Sequence, residues 1–221
     1  MKMLLTDAGV QNESIRSELL EMLGKPCEEC HALAIPTALY AHPMAGPHMA
    51  NRFLTSTSGN TMLDLGWKTM GVLELTALPT LQREIWVPLV EEADVLLASG
   101  GDCAYLAYWL KESGLADMLP NLKAVWVGLS AGSMVMTPRT GRNFINWPEP
   151  RANDEMLGLV DFAIFPHLNS PQLTGHSMEH AEMWFETMNI PAYVTDEQTA
   201  ISVIDGDIKV ISEGTWKYLS W

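Results

Sequence analysis

Val125-Trp-Val-Gly-Leu-Ser-Ala-Gly-Ser133 is an apolar run that closes on Gly128-Leu129-Ser130-Ala131-Gly132 and passes into small, Met-rich sequence. The run predicts a buried strand and the residues after it a helix start. Their junction matches the G-x-S-x-G pattern of a nucleophile elbow. A serine held on a very tight strand-to-helix turn needs neighbours with little or no side chain, because a Cβ would forbid the backbone angles and close approaches involved. The turn lifts the hydroxyl clear of the sheet and leaves backbone N–H groups at the helix N-terminus, where negative charge is stabilised. An ordinary strand–turn–helix junction with an incidental serine satisfies the same pattern, so the surrounding chain has to decide.

Working outward, residues 93–99 form another continuous apolar strand that runs into Gly100-Gly101-Asp102. An amphipathic helix over 103–119 follows, broken at Gly114. Upstream, strands are predicted over 2–9, 31–36 and 69–76. Helices are predicted over 15–23, with Asn12 and Ser14 as cap candidates and Gly24 as the stop, and over 48–57 and 81–92. Downstream come an irregular loop over 138–153 and a strand over 157–165 ending in Pro166-His167. A helix over 172–188 and a short strand over 192–195 lead to Asp196-Glu197, and a terminal β-meander covers 199–204, 208–212 and 215–219. Apolar strands alternating with helices predict an α/β, doubly wound, mostly parallel sheet covered on both faces, with the meander at its end. In such sheets ligands gather at the carboxyl ends of the strands. Gly100-Gly101 and Ser130 both lie at such ends.

The 221 residues form one domain, 1–221, with no linker long enough to divide them. With 13 Lys and Arg against 27 Asp and Glu, the formal net charge is −14. That balance argues against nucleic acid and anionic membranes as partners, since both need a basic surface. No signal peptide and no apolar span of membrane length is visible. The odd count of three cysteines, Cys27, Cys30 and Cys103, favours a reducing, cytoplasmic setting. Cys27-Glu-Glu-Cys30 lacks the second pair that a metal site requires, so no metal and no cofactor are expected.

Serine needs an adjacent base. His167, just past an apolar strand, is the candidate, although a loop histidine capping a strand reads the same way. A third group should orient the imidazole. Asp196 and Glu197, which follow a later strand, form the candidate carboxylate pair. The amides of Ala131 and Gly101 are the candidate oxyanion donors. An α/β-hydrolase carries its acid between serine and histidine. Asp154 and Glu155 do lie there, but in a loop rather than clearly after a strand, and no long segment separates serine from histidine, so that fold is disfavoured.

Ala98-Ser-Gly-Gly-Asp-Cys103, Val127-Gly-Leu-Ser-Ala-Gly-Ser133 and Phe165-Pro-His167 together resemble the peptidase E group, family S51, which includes the aspartyl dipeptidases and, more distantly, cyanophycinase. The resemblance implies a class I glutamine-amidotransferase-like (flavodoxin-like) fold. It implies Ser130 as nucleophile, His167 as base, and the amides of Gly101 and Ala131 as oxyanion hole. Cyanophycinase-like members use a glutamate after the last sheet strand, so the resemblance implies Glu197 as the triad acid, with Asp196 in reserve. Three departures stand out. The family's G-G-N-T is here Gly100-Gly101-Asp102-Cys103. The loop aspartate of the aspartyl dipeptidases is missing, with Asn143 as its nearest counterpart. The helix after the histidine has no arginine to hold a substrate carboxylate, which leaves Arg139 and Arg142 as the nearby cations. The resulting expectation is a cytoplasmic serine peptidase of small peptides, with a homodimer compatible with it. An amidase on the same scaffold and a catalytically silent binding protein remain the alternatives.

Overall fold

The computed structural model describes residues 1–56, 62–149 and 152–221. Short 3-10 turns aside, the elements in order are β1 (Lys2–Thr6), α1 (Glu13–Leu23), β2 (His31–Ile35), α2 (Pro47–Leu54), β3 (Thr69–Val72), α3 (Arg83–Glu92), β4 (Val95–Ala98), α4 (Cys103–Glu112), α5 (Leu115–Met118), β5 (Val125–Leu129), α6 (Ala131–Met134), β6 (Ala163–Phe165), α7 (Met178–Phe185), β7 (Ala192–Thr195), β8 (Thr199–Ile204), β9 (Asp207–Ser212) and β10 (Trp216–Leu219).

Local chemistry sets the ends of these elements. The Asn12 side chain accepts the Ile15 amide at 3.0 Å, and Gly24 closes α1 in the left-handed region at φ 70°. Ile15, Leu19 and Met22 then fall on one buried face of that helix. Gly114, also left-handed, separates α4 from α5. The helix expected over 172–188 is confined to Met178–Phe185, where Ser177 caps it. The helix expected over 48–57 runs from Pro47 to Leu54, and position 57 lies outside the described residues.

Seven strands make the main sheet in the order β3-β2-β4-β5-β1-β8-β9. The first five are parallel, and β8 and β9 add an antiparallel edge. A second sheet has the order β10-β7-β6. The last three strands therefore do not stay together as one meander. β8 and β9 form a hairpin on β1, while β10 crosses over to pair antiparallel with β7. The strand expected over 157–165 is also shorter. Residues 157–160 instead return their amides to the carbonyls of Val135, Met136 and Thr137, and pairing in the second sheet starts at Ala163.

Alternation along the strands divides the core between the faces of the main sheet. Met3, Leu5, Leu96 and Trp126 pack with Trp86 and Val90 of α3 and Leu106 and Leu110 of α4. Leu4, Leu97, Val125 and Val127 pack with Ile15 and Leu19 of α1 and Phe53 of α2. Each such fully buried large side chain contributes about 1.5–3 kcal/mol. A third cluster joins the small sheet to α7 through Phe165, Trp184, Val194 and Leu219.

Registers bring the strand ends level. Thr6 lies opposite Leu129, and Ala98 opposite Gly128. The residues that follow β1, β4 and β5 therefore emerge at one edge. One buried carboxylate anchors the loop beside that edge. Asp102 caps α4 by accepting the Tyr105 amide at 2.8 Å through Oδ1, and its Oδ2 accepts the amides of Asn146 and Trp147 at 2.6 and 2.8 Å. Three donors on two oxygens require an acceptor-only side chain. An asparagine would turn its NH2 group toward one set of amides. Asp102→Asn is expected to lose about 1–3 kcal/mol of stability in urea denaturation followed by circular dichroism. An unchanged midpoint would mean that the loop amides have another acceptor.

Candidate active site

Ser130 stands between β5 and α6 with φ 49° and ψ −109°, a region that L-residues avoid and that costs about 1–3 kcal/mol to hold. The surroundings over-determine it. Ser130 N–H donates to the Thr6 carbonyl at 3.1 Å, and the amides of Ser133 and Met134 donate to its own carbonyl at 2.8 and 2.9 Å. The Ser133 hydroxyl donates to the Thr6 carbonyl at 2.7 Å, and Trp126 Nε1 donates to the Gly132 carbonyl at 2.8 Å. A Cβ on Gly128 would lie 2.3 Å from that same Gly132 carbonyl oxygen, so the glycine before the serine is a steric requirement of the turn.

His167 follows β6 of the second sheet. Its Nε2 lies 2.9 Å from Ser130 Oγ. Its Nδ1 lies 3.0 Å from Asp7 Oδ2, which has no other partner among the described residues. Asp7 is the first residue after β1, and its side chain is wholly buried. The other oxygen, Oδ1, accepts the His167 backbone amide at 2.7 Å and the Thr195 hydroxyl at 3.1 Å. One carboxylate thus holds the ring, the backbone of the residue that bears the ring, and the end of β7.

The acid expected from sequence is not the one at the imidazole. Glu197 lines the same cleft but makes no hydrogen bond or ion pair within the described residues. Asp196, the reserve, caps a turn by accepting from Gln198 N–H, the Thr199 hydroxyl and Thr215 N–H. The physical reason lies in strand order. β1 sits beside β5, so its first residue past the strand meets the elbow directly. β8 runs antiparallel, so the loop before it reaches the rim of the cleft instead. An acidic residue directly after an apolar first strand was the available signal for Asp7.

Burial of the His167 imidazole opposes its charge. The hydrogen bond and charge of Asp7, with a further contribution from the charge of Glu197, more than offset this and raise its pKa above the ordinary 6.5. Burial pushes His42, across the cleft, the other way, and the charge of Asp102 opposes that only in part.

Gly101 and Ala131 flank the serine. Gly101 has φ 137°, and a Cβ there would lie 2.2 Å from the Ala38 carbonyl oxygen. Their amides carry no hydrogen bond to another described residue, which leaves both donors available. The cleft measures about 510 Å³. Its floor is Ser99, Gly100, Gly101 and Ser130, and its wall is Leu39, Met44, Met49 and Phe53. Helix α2 and the residues before it therefore contribute to the lining of the cleft.

Neither expected cation reaches the site. Arg139 is paired with Asp154 at 2.6 Å, and Arg142 donates to the Ala152 carbonyl. Asn143 is exposed and does not line the cleft. Cys27 and Cys30 are free and buried, and burial pushes the Cys30 thiol up to about 11, which keeps it protonated and unreactive near neutrality. Among the described residues no helix is long and apolar enough to cross a membrane.

Comparison with known proteins adds three findings. The model of peptidase family S51 matches residues 3–211. A peptidase E of Nostoc sp. is 30% identical over 137 residues, which is 58% of this chain and 56% of that protein, so the match spans little more than half of the relative. Two crystal structures share the fold. One is a Listeria monocytogenes EGD-e protein assigned as a peptidase E, with TM-score 0.68 and 16% identity over 96% of this chain and 98% of that one. The other is a peptidase from an acI-B1 Actinobacterium, with TM-score 0.64 and 19% identity over 99% and 93%.

The geometry at Asp7 predicts the titration of His167. A histidine raised above its unfolded value stabilises the fold in its charged form. That contribution is full below about pH 6.5 and is lost as pH rises through the folded value. In the NMR titration of the imidazole, the wild type is expected to have its midpoint above 6.5, and Asp7→Asn to have its midpoint below it, because burial then outweighs the remaining charge of Glu197. An unmoved midpoint in Asp7→Asn would remove Asp7 from the ring's partners.

Proposed function

The chain belongs to peptidase family S51, and on that premise we propose that it hydrolyses small peptides through Ser130, with His167 as base and Asp7 as the acid that orients it. The observation that carries this is the continuous relay from Ser130 Oγ to His167 Nε2, 2.9 Å, and from His167 Nδ1 to Asp7 Oδ2, 3.0 Å. Both distances lie within reach of proton transfer and of tautomer control.

The chemistry follows from these contacts. Ser130 Oγ attacks the scissile carbonyl carbon as its proton passes to His167 Nε2. The carbonyl π-pair moves onto oxygen, where the free amides of Gly101 and Ala131 receive the negative charge. Asp7 keeps Nδ1 protonated and stabilises the imidazolium that forms. Collapse of the tetrahedral adduct breaks the C–N bond, and His167 returns the proton to the departing amine. Water, deprotonated by the same imidazole, then cleaves the acyl–serine ester and regenerates the hydroxyl. The strained serine is held in place before substrate arrives, so little reorganisation is left for the reaction itself. A cleft of about 510 Å³ suits a ligand of a few residues rather than a folded chain.

The direct test is a fluorophosphonate probe, which is expected to label the wild type and to spare Ser130→Ala. Asp7→Asn is expected to lower kcat on a small peptide about 10³–10⁴-fold with the fold retained by circular dichroism. The base must be neutral, so kcat/KM is expected to rise with pH along an acidic limb centred above 6.5, following the raised histidine. A wild type that neither reacts with the probe nor cleaves any dipeptide in a broad panel would sink the proposal.

A further inference from the structure

With Asp7 at the imidazole, Glu197 has no part in holding the ring. It stands exposed at the cleft that contains Ser130, with no hydrogen bond or ion pair to any described residue. Among the described residues no lysine or arginine lines that cleft. Its other ionisable groups are two imidazoles. Burial disfavours the charged form of His42, and His167, whose charged form Asp7 favours, acts as base only when neutral. Most of the remaining wall, from Leu39, Met44, Ala45, Met49 and Phe53, is apolar, and Gln11 and Gln172 add uncharged amides. The chain as a whole carries a net charge of −14. A substrate carboxylate entering here would meet a carboxylate, two uncharged amides and a largely apolar surface, with no lysine or arginine among the described lining residues to neutralise it. A substrate ammonium would meet an unpaired carboxylate beside the nucleophile.

We propose that Glu197 is a specificity residue that receives a primary ammonium group of the substrate, and that the site takes small peptides beginning with an uncharged or basic residue and rejects those beginning with an acidic one. The proposal rests on the serine-peptidase reading above. It assigns Glu197 to binding, whereas Asp7 serves proton transfer. An ammonium can come from the peptide's free N-terminus or from a basic side chain, and the two sources are separable. Exposure weakens the pair in the open cleft. A bound peptide that excludes water strengthens it, because the same charges then act through a lower effective dielectric.

The experiment compares p-nitroanilides of Leu, N-acetyl-Leu, N-acetyl-Lys and Asp in wild type and Glu197→Gln, with fluorophosphonate labelling of Ser130 as a control on both. The Leu substrate is expected to exceed the Asp substrate in kcat/KM by on the order of 100-fold. In Glu197→Gln, KM for the preferred substrate is expected to rise on the order of 10–100-fold while kcat changes only a few-fold, and the gap to the Asp substrate is expected to narrow. If acetylation of the Leu substrate costs as much as the mutation, and costs nothing further in Glu197→Gln, the N-terminus is the source. If N-acetyl-Lys outpaces N-acetyl-Leu in the wild type but not in the variant, the side chain is the source. Labelling in both proteins with no discrimination by charge, or an Asp substrate cleaved as well as Leu, overturns the assignment of Glu197 and leaves the peptidase reading standing. Failure of labelling in the wild type brings down the parent reading and this one with it.

Discussion

The buried carboxylate of Asp7 is the contact on which the site depends. Removing a carboxylate from water costs several kcal/mol even after relaxation, so it persists only where its lone pairs are filled. Here the backbone amide of His167, the hydroxyl of Thr195 and the ring of His167 supply the compensation. Asp7 belongs to the main sheet, while His167 and Thr195 belong to the end of the small one. The carboxylate therefore ties two sheets together at the point where each contributes half of the hydrogen-bonded Ser130–His167 pair. Loss of the charge loosens the placement of the histidine backbone as well as the orientation of its ring.

The elbow depends on the same strand end. Thr6, the residue before Asp7, accepts the Ser130 amide and the Ser133 hydroxyl through its carbonyl. Its own hydroxyl donates to the Gly128 carbonyl at 2.6 Å and accepts the Gly9 amide at 2.9 Å. Two adjacent residues of β1's end thus fix the serine's backbone and the histidine's ring. The unfavourable φ of Ser130 survives because so many bonds converge on it. The positive φ of 61° at His167 is held likewise by its amide on Asp7. Strain at Ser130 and His167 and a dense local hydrogen-bond frame are two sides of one arrangement, since the frame is what keeps the strained geometry populated.

Much of this was legible from residues alone, because the signals were local. The alternation of apolar strands and helices, the Gly-Ser-Gly junction and the histidine after an apolar strand are each written in a few consecutive positions. The strand ends that carry Ser130, Gly101 and His167 follow from the rule that ligands gather at carboxyl ends. The carboxylate at the imidazole was not legible in the same way. Chain order ranks acids as before or after the histidine, but proximity is set by sheet order, and nothing in residues 1–9 announces that β1 lies against β5. Likewise, nothing in residues 215–219 says that they leave the hairpin for another sheet. The difference is settled by long-range packing. Leu219 joins the cluster around Trp184 and Val194, while Ile211 of β9 packs with Leu4 of β1.

Asp7 and Glu197 reach one edge from opposite strand polarities, and burial sorts their roles. Asp7 leaves the end of a parallel strand and points beneath the imidazole, where water is excluded and each contact counts strongly. Glu197 precedes the start of an antiparallel strand and stands at the rim, where its charge still reaches His167 but its oxygens stay free. One site thus holds two carboxylates in contrasting environments, one buried against the imidazole and one exposed at the cleft. A buried acid cannot also meet substrate without leaving the ring, and an exposed one cannot hold a tautomer against competing water. The geometry that denies Glu197 the first task is therefore the same geometry that leaves it available for the second.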